Sequence, residues 1–130
     1  MPVVIIHGVS HVGGPTLTHL TPAVQDCVAA IKELCLEPKQ VSVLMPESAC
    51  PWERGSVIVF VEGLFEKPER TNEARKRLAD ALAHTIKEWA KAEEDEDGVK
   101  DIQFVEVFVK RFNPDRDGFC ALEIRYKAGT

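Results

Sequence analysis

The sequence lacks several features that would each assign it to a class of protein. Its four cysteines, Cys27, Cys35, Cys50 and Cys120, form no C-x-x-C pair, and we interpret them as reduced core residues rather than a disulfide framework or a metal site. No apolar run reaches membrane-spanning length, and the N-terminus has neither the basic segment nor the apolar stretch of a signal peptide. We therefore expect a cytoplasmic protein with no membrane partner.

Basic charge is also scarce. The chain has 16 Lys and Arg against 21 Asp and Glu, giving a formal net charge of −5. Nucleic-acid binders carry a basic surface, so we expect no nucleic-acid partner. Residues 93–97 are all acidic and predict a solvated loop between two elements. The 130 residues, 45% of them hydrophobic, are enough for one domain with a substantial core.

Residues 8–16 have the glycine spacing of a phosphate-binding loop but lack its chemistry. Gly14 stands where a lysine should reach the phosphates, and Pro15 removes an N–H from the cradle. We predict a mobile surface loop here instead. His7, His11 and His19 lie in or beside this non-helical segment, where their spacing has little meaning, so we predict no metal site.

Two helices are predicted from cap signals and apolar periodicity. Thr21 as N-cap and Pro22 at the first helical position predict the start of the first helix, and Pro38 predicts its end. Thr71 predicts the N-cap of the second helix, with Glu73 in its first turn. The predicted buried faces are Val24, Cys27, Val28, Ile31, Leu34 and Cys35 in the first helix, and Ala74, Leu78, Ala81, Leu82, Ile86 and Trp89 in the second.

Apolar runs predict strands in residues 2–6, 41–45, 57–61 and 102–109, and a short last strand in residues 119–124. We therefore expect a single α/β (α+β) domain, residues 1–130, built of two β-α-β repeats at about 1–55 and 56–130. Two parallel pairs would share a four-stranded mixed sheet with both helices on one face. The opposite apolar face would need a cover, most simply another copy of the chain.

Pro2 leads directly into the first strand. Removal of Met1, which the small residue behind it favours, would give Pro2 a free secondary amine on a rigid mount, suited to proton transfer. If Met1 is retained, the Pro2 nitrogen is an amide and cannot act as acid or base. The alternative is that Pro2 merely opens a strand, where a missing N–H is tolerated.

Pro2 on a first strand, the duplicated β-α-β order and a short basic loop before the second helix together resemble the tautomerase superfamily. Its members include 4-oxalocrotonate tautomerase, the macrophage migration inhibitory factor group, the cis-3-chloroacrylic acid dehalogenases and malonate semialdehyde decarboxylase. The most specific matches are Pro2-Val3, Leu20-Thr21-Pro22, and residues 60–64 running into Lys67 and Arg70. The resemblance implies a tautomerase-like fold and a homotrimer, with Pro2 at the floor of a pocket near a subunit boundary.

The chemistry implied by the resemblance is proton transfer by Pro2. A neutral amine would take a proton next to a carbonyl and return it elsewhere, as in tautomerase or isomerase action on a small enol or unsaturated keto acid. A protonated Pro2 would instead serve hydration, or decarboxylation of a small 3-oxo acid, which is the alternative reaction. The pKa of Pro2, lowered by an apolar pocket and nearby cations, decides between these roles. We expect no cofactor.

Substrates of this superfamily carry carboxylates. The resemblance places Lys67 and Arg70 near the paired arginines of the dehalogenase and decarboxylase branches, and Trp52 near an aromatic pocket wall. Arginine binds a carboxylate through two parallel hydrogen bonds, whereas lysine is a point charge. The alternative is that Lys67 and Arg70 are surface cations before a helix. Arg54, Arg111 and Arg116 are further candidates of lower rank.

The sequence also departs from the resemblance. Leu36 stands where the dehalogenase has a histidine, Val105 falls near its strand tyrosine, and Ser42 and Gln103 correspond to a strand arginine of 4-oxalocrotonate tautomerase. Hydrolytic dehalogenation is therefore not expected. Two non-enzymatic alternatives are a family member without catalysis and a ferredoxin-like binding or assembly module, whose sheet would be antiparallel.

Overall fold

The fold consists of four strands and two helices in a computed structural model that describes residues 1–47, 55–96, 98–99 and 101–126. The elements are β1 (Val3–His7), α1 (Gly14–Ala29), β2 (Ser42–Leu44), β3 (Ser56–Glu62), α2 (Asn72–Ala92) and β4 (Phe104–Val109), with 3-10 turns at Lys32–Leu34 and Pro38–Gln40. No helix within these ranges is both long enough and apolar enough to cross a bilayer.

The strands form one mixed sheet in the order β2-β1-β3-β4. β1 and β2 are parallel, β3 and β4 are parallel, and β1 and β3 are antiparallel. This confirms the predicted four-stranded mixed sheet, and the two parallel pairs contradict the antiparallel sheet of the ferredoxin-like alternative. Because Val3 of β1 pairs with Glu62 of β3, the start of β1 lies beside the end of β3.

Both helices pack on the same face of the sheet. Val4, Ile6, Val57, Val59 and Val61 alternate along β1 and β3 and are fully buried beneath the helices. The helices contribute Leu20, Val24 and Val28 from α1, and Leu78, Leu82 and Ile86 from α2. Each such side chain contributes about 1.5–3 kcal/mol by leaving water, so this layer holds the two β-α-β units together.

The opposite face of the sheet is uncovered and largely apolar, as expected. Leu44, Phe104 and Phe108 are 53%, 64% and 47% exposed. Phe60 stacks on Phe108 with ring centroids 5.5 Å apart, and the Lys110 ammonium lies 5.6 Å from the Phe60 ring. We call this surface, comprising Leu44, Phe60, Phe104 and Phe108, the bare face.

The predicted boundaries of the first helix are wrong at both ends. α1 begins at Gly14 instead of Thr21, with Pro15 in its first turn and Pro22 inside it. Buried Leu20 and Thr16 extend the buried stripe one and two turns before Val24, and this packing outweighs the helix break at Pro22. The predicted loop at residues 8–16 therefore ends at Gly13.

α1 ends at Ala29 rather than near Pro38. Leu34 is buried in a 3-10 turn, and Cys35 follows in the left-handed conformation at φ 54°. Cys27 is half-buried, whereas Cys35 and Cys120 are exposed, so the interpretation of the cysteines as core residues is wrong for Cys35 and Cys120. Cys50, Trp52 and Arg54 lie outside the described residues.

The last predicted strand, residues 119–124, does not form. This segment has no strand partner among the described residues. Its apolar side chains are exposed instead: Phe119 53%, Leu122 86%, Ile124 73% and Tyr126 85%. We call residues 119–126 the C-terminal segment. The apolar residues of this segment suit a strand, but a strand forms only where another strand edge is available for hydrogen bonding.

Candidate active site

Pro2 lies at the head of β1 and is buried, whereas Met1 before it is 68% exposed. The carbonyl of Pro2 accepts a hydrogen bond of 3.1 Å from the backbone N–H of Ser42, which fixes it to the start of β2. The proline ring is thus held by the sheet on one side and by burial on the other. An amine at this position would be presented in one fixed direction.

Gly63 allows the end of β3 to pass close to Pro2. Its φ of +70° lies in the left-handed region, which residues with a side chain seldom adopt. A Cβ added there would lie 3.3 Å from the Met1 carbonyl oxygen and 3.9 Å from the Pro2 Cα. Gly63 therefore combines the turn out of β3 with a close approach to the candidate catalytic residue.

The chain from Gly63 to Thr71 is held by aromatic and backbone contacts. Phe65 stacks on Phe112 at 5.6 Å and meets Phe119 edge-on at 4.8 Å. The Glu66 N–H donates to the Phe112 carbonyl at 2.7 Å, and the Arg70 N–H donates to the Lys67 carbonyl at 2.9 Å. The position of Lys67 is therefore set by a braced turn.

Arg70 is 6% exposed, and its guanidinium bonds main-chain carbonyls. Its Nε and Nη2 donate to the Leu34 carbonyl at 3.2 and 2.7 Å, and its Nη1 donates to the Phe65 carbonyl at 2.8 Å. Burial lowers the pKa of this guanidinium. Of the five N–H donors of an arginine, three are engaged here and two remain.

A cationic depression of about 390 Å³ opens at this end of the sheet. Its lining residues are Glu66, Lys67, Pro68, Arg70, Arg75, Arg111 and Asn113. Arg75 and Arg111 both donate to the side-chain oxygen of Asn72, the first residue of α2. Glu66 is the one carboxylate among the lining residues, so the depression is strongly positive.

Sequence reasoning ranked Arg111 low and missed Arg75. The signal for Arg75 was present, because an N-cap at Thr71 places residue 75 one turn along the helix, above the loop that precedes it. Arg116, also a lower-ranked candidate, lies 4.0 Å from Glu66 and 3.8 Å from Asp117.

The strand register relates Pro2 to the cationic depression. Val3 pairs with Glu62, and Val61 pairs with Val109. Extending both ladders places Gly63 between Pro2 on one side and Arg111 on the other. Two inter-strand spacings amount to about 10 Å. Pro2 thus lies beside the depression, not among its lining residues, at a distance that a small acid and an arginine side chain can span.

A second cavity and the histidine contacts lie elsewhere in the described structure. A second cavity, about 440 Å³, lies between α2 and β4 and includes Val105, which pairs with Val57 at the other end of β3. His11 Nε2 lies 3.0 Å from the Gly98 carbonyl, and His19 Nδ1 lies 2.8 Å from a Glu93 carboxylate oxygen. His11 and His19 thus each contact a separate partner at or after the end of α2, whereas His7 packs edge-on against Phe60.

Comparisons by sequence find no matching family model and no matching curated protein. Solved structures do match. Pt0534, inactivated by 2-oxo-3-pentynoate, has a TM-score of 0.61 and 19% identity over 91% of this chain and 89% of its own. A fused 4-OT that forms an asymmetric trimer has a TM-score of 0.61 and 13% identity over 90% and 91%.

FG41 malonate semialdehyde decarboxylase, inhibited by 3-bromopropiolate, has a TM-score of 0.54 and 15% identity over 88% of this chain and 84% of its own. These neighbours are enzymes of the tautomerase superfamily. The chain therefore has a tautomerase-like fold over about nine tenths of its length. At these identities the likeness concerns the fold, and the residues of the site have to support any function on their own.

Proposed function

We propose that this protein is a tautomerase-superfamily enzyme that transfers a proton on a small enol or unsaturated keto acid, with Pro2 as general base and acid. The observation that carries this proposal is the position of Pro2. It is buried at the head of β1, against Gly63, at the end of the sheet where the cationic depression opens. Cations near a developing enolate stabilise it and lower the pKa of a neighbouring amine.

In the proposed mechanism the neutral Pro2 amine takes the proton from the enol hydroxyl and returns it to carbon, so that the enol becomes the keto acid. The substrate carboxylate binds Lys67 and the two N–H groups that Arg70 has left. Lys67 is exposed on the braced turn, and Arg70 is fixed by its carbonyl partners. We also propose that Trp52 forms an aromatic wall of the pocket.

A second reaction, decarboxylation of a small 3-oxo acid, is favoured by the likeness to FG41 malonate semialdehyde decarboxylase. There a protonated Pro2 would hydrogen-bond the 3-oxo group and stabilise the enolate left when carbon dioxide departs. Release of carbon dioxide from a 3-oxo acid separates this reaction from tautomerisation, which releases nothing.

We further propose that the protein is a homotrimer. The bare face exposes Leu44, Phe104 and Phe108, and the C-terminal segment exposes four further large apolar side chains. Contiguous apolar surface of this kind marks an interface. Two of the similar structures, both fused 4-OT chains, are trimers.

The test of catalysis combines two measurements. Mass spectrometry of the intact chain should show that Met1 has been removed. Ketonisation of phenylenolpyruvate, followed by its ultraviolet absorbance, should slow about 100-fold or more in Pro2→Ala, the range for loss of a general base. Pro15→Ala, at an exposed proline of α1, should retain full activity. A retained Met1, or equal activity in Pro2→Ala, would contradict the proposed role of Pro2, whereas no ketonisation by the unaltered protein would favour a family member without catalysis.

A further inference from the structure

The cavity between α2 and β4 is lined mainly by apolar side chains. Val105 of β4 is half-buried there, and Val99 and Ile102 line the cavity from the loop that joins α2 to β4. The Ile102 N–H donates to the Val99 carbonyl at 3.0 Å, so these two residues are held in a hydrogen-bonded turn. From α2 the cavity is lined by Ala83 and Ala90, whose single methyl groups leave the space open. Its volume of about 440 Å³ is that of a small-molecule site, for which about 300–1,000 Å³ is usual.

Two lysines of α2 add positive charge to the lining of this cavity. Lys87 and Lys91 are one helical turn apart and therefore lie on the same side of α2. Neither lysine takes part in an ion pair within the part of the chain that the structure describes. Glu94 is the one carboxylate among the described lining residues. Two lysines against one carboxylate leave one positive charge in excess, with His84 counted as neutral.

The cavity is remote from the candidate active site. Val105 pairs with Val57, whereas Gly63, which lies against Pro2, follows the other end of β3. At about 3.3 Å per residue, Val57 and Gly63 are about 20 Å apart. Val105 also alternates with the exposed Phe104 of the bare face, so the cavity lies on the face of the sheet that carries the helices. A ligand bound in the cavity would therefore leave both Pro2 and the bare face free.

An apolar cavity with one excess positive charge matches an amphipathic monoanion. The apolar chain of such a ligand would leave water inside the cavity, and its head group would meet lysines that keep their ammonium groups in solvent. A neutral ligand would leave the excess charge unbalanced. A dianion would carry a second charge into apolar surroundings, which is costly.

We propose that the cavity between α2 and β4 binds a monocarboxylic acid with an unbranched apolar chain. The carboxylate lies at Lys87 and Lys91, and the chain packs against the valine and isoleucine side chains of the cavity. The acid is a ligand and not a substrate, because Pro2 is too distant to exchange a proton with it. This inference goes beyond the proposed function and does not depend on it.

The probes are butanoate, hexanoate and octanoate, with octan-1-ol as the neutral analogue of the longest acid. Isothermal titration of the intact protein should show affinity rising about three- to fourfold for each added CH₂, the gain expected when a CH₂ group leaves water. Octanoate should bind about fivefold more tightly than octan-1-ol. Salt should reduce this difference, because Lys87 and Lys91 are exposed.

Two kinds of variant test the chain and the carboxylate separately. Ala90→Leu places a larger side chain in the cavity with a good helix former, so octanoate binding should fall at least about tenfold while circular dichroism stays helical. Lys87→Gln combined with Lys91→Gln should abolish the preference for octanoate and leave octan-1-ol binding within about twofold. Lys76→Gln, an exposed lysine of α2 that does not line the cavity, is the matched control and should change neither affinity.

Absence of octanoate binding would overturn the inference, and this result includes the case in which a second copy of the chain fills the cavity. Equal affinities along the acid series, or for octanoate and octan-1-ol, would overturn it as well. So would octanoate binding that survives Ala90→Leu but is lost in Arg111→Gln, since the acid would then lie in the cationic depression. Octanoate should bind Pro2→Ala as it binds the unaltered protein, so the titrations stand whatever the outcome of the ketonisation assay.

Discussion

Arg70 lies where the resemblance places a carboxylate-binding residue, yet most of its hydrogen bonds hold main-chain segments together. Its place in the sequence, three residues after Lys67 and directly before a helix cap, indicated a carboxylate ligand. In the structure its guanidinium joins the Leu34 carbonyl of the 3-10 turn to the Phe65 carbonyl of the loop after β3. Sequence spacing reports which loop a residue is in, whereas the direction of a long side chain depends on acceptors that only the fold supplies.

Loss of the Arg70 side chain should therefore destabilise the protein. Arg70→Ala removes the guanidinium donors of the Leu34 carbonyl, where the bonds are buried, and of the Phe65 carbonyl, where the bond is partly buried. We expect the free energy of unfolding to fall by about 3 kcal/mol in urea titrations. Arg77→Ala removes an arginine that is 57% exposed and paired with Glu33, and should change stability by less than about 1 kcal/mol. If the Arg70→Ala and Arg77→Ala curves coincide with that of the unaltered protein, the bracing role of Arg70 is wrong.

At the scale of elements, prediction succeeded where local chemistry and burial agree. Thr71 caps α2 as predicted, with its hydroxyl accepting from the Ala74 N–H at 3.2 Å. The strand runs in both halves also formed, because their alternation fits one buried face. Thr21-Pro22 failed as a helix start because cap signals are local, whereas burial of Thr16 and Leu20 against the rest of the core carries α1 back to Gly14.

The half-buried Cys27 of α1 gives a pH-dependent prediction. Burial raises the pKa of its thiol, and a hydrogen bond with Thr85 lowers it by less. We expect Cys27 to be alkylated by iodoacetamide more slowly than the exposed Cys35, and the two rates to converge in urea, as measured by peptide mass spectrometry. Because the folded thiol ionises at higher pH than the unfolded one, this contribution to stability is lost as the pH rises through the ordinary thiol range.

Equal alkylation rates for Cys27 and Cys35 in the native protein would show that α1 does not shield the Cys27 thiol. Cys35 is the internal control, since it lies in the same chain and reacts with iodoacetamide under the same conditions. Cys35 itself is the left-handed residue that ends the 3-10 turn. The sequence predicts an unbroken helix through residue 35, so this change of backbone direction was not predicted.

At the scale of the whole molecule, the sequence predicts an uncovered apolar face on the sheet and a further strand at residues 119–124. In the single chain the apolar face is present, whereas the strand does not form. The C-terminal segment alternates apolar residues 122, 124 and 126 with charged residues 123 and 125. That pattern suits a strand with one face buried. The positions of Lys67 and Pro2 at one end of the sheet were also predictable, since they follow from strand order, whereas the clustering of Arg75 with Arg111 depends on how α2 packs beside β4.

The exposed apolar surfaces of the bare face and the C-terminal segment lead to a prediction about the oligomeric state. Light scattering after gel filtration should give the mass of three 14.5 kDa chains. Phe104→Glu places a charge on the bare face, where burial of an unpaired charge at an interface costs several kcal/mol, so this variant should have a lower mass. Its circular dichroism should stay helical, because α1 and α2 pack on the other face.

Ile124→Asp applies the same test to the C-terminal segment, and Lys76→Glu on the exposed side of α2 is the matched control. If the C-terminal segment packs against a neighbouring subunit, Ile124→Asp should lower the mass as Phe104→Glu does, while Lys76→Glu keeps it. A 14.5 kDa monomer for the unaltered protein contradicts the homotrimer. A trimer that tolerates Phe104→Glu and Ile124→Asp would mean that the subunits meet through another surface, because an interface seldom accepts two unpaired buried charges.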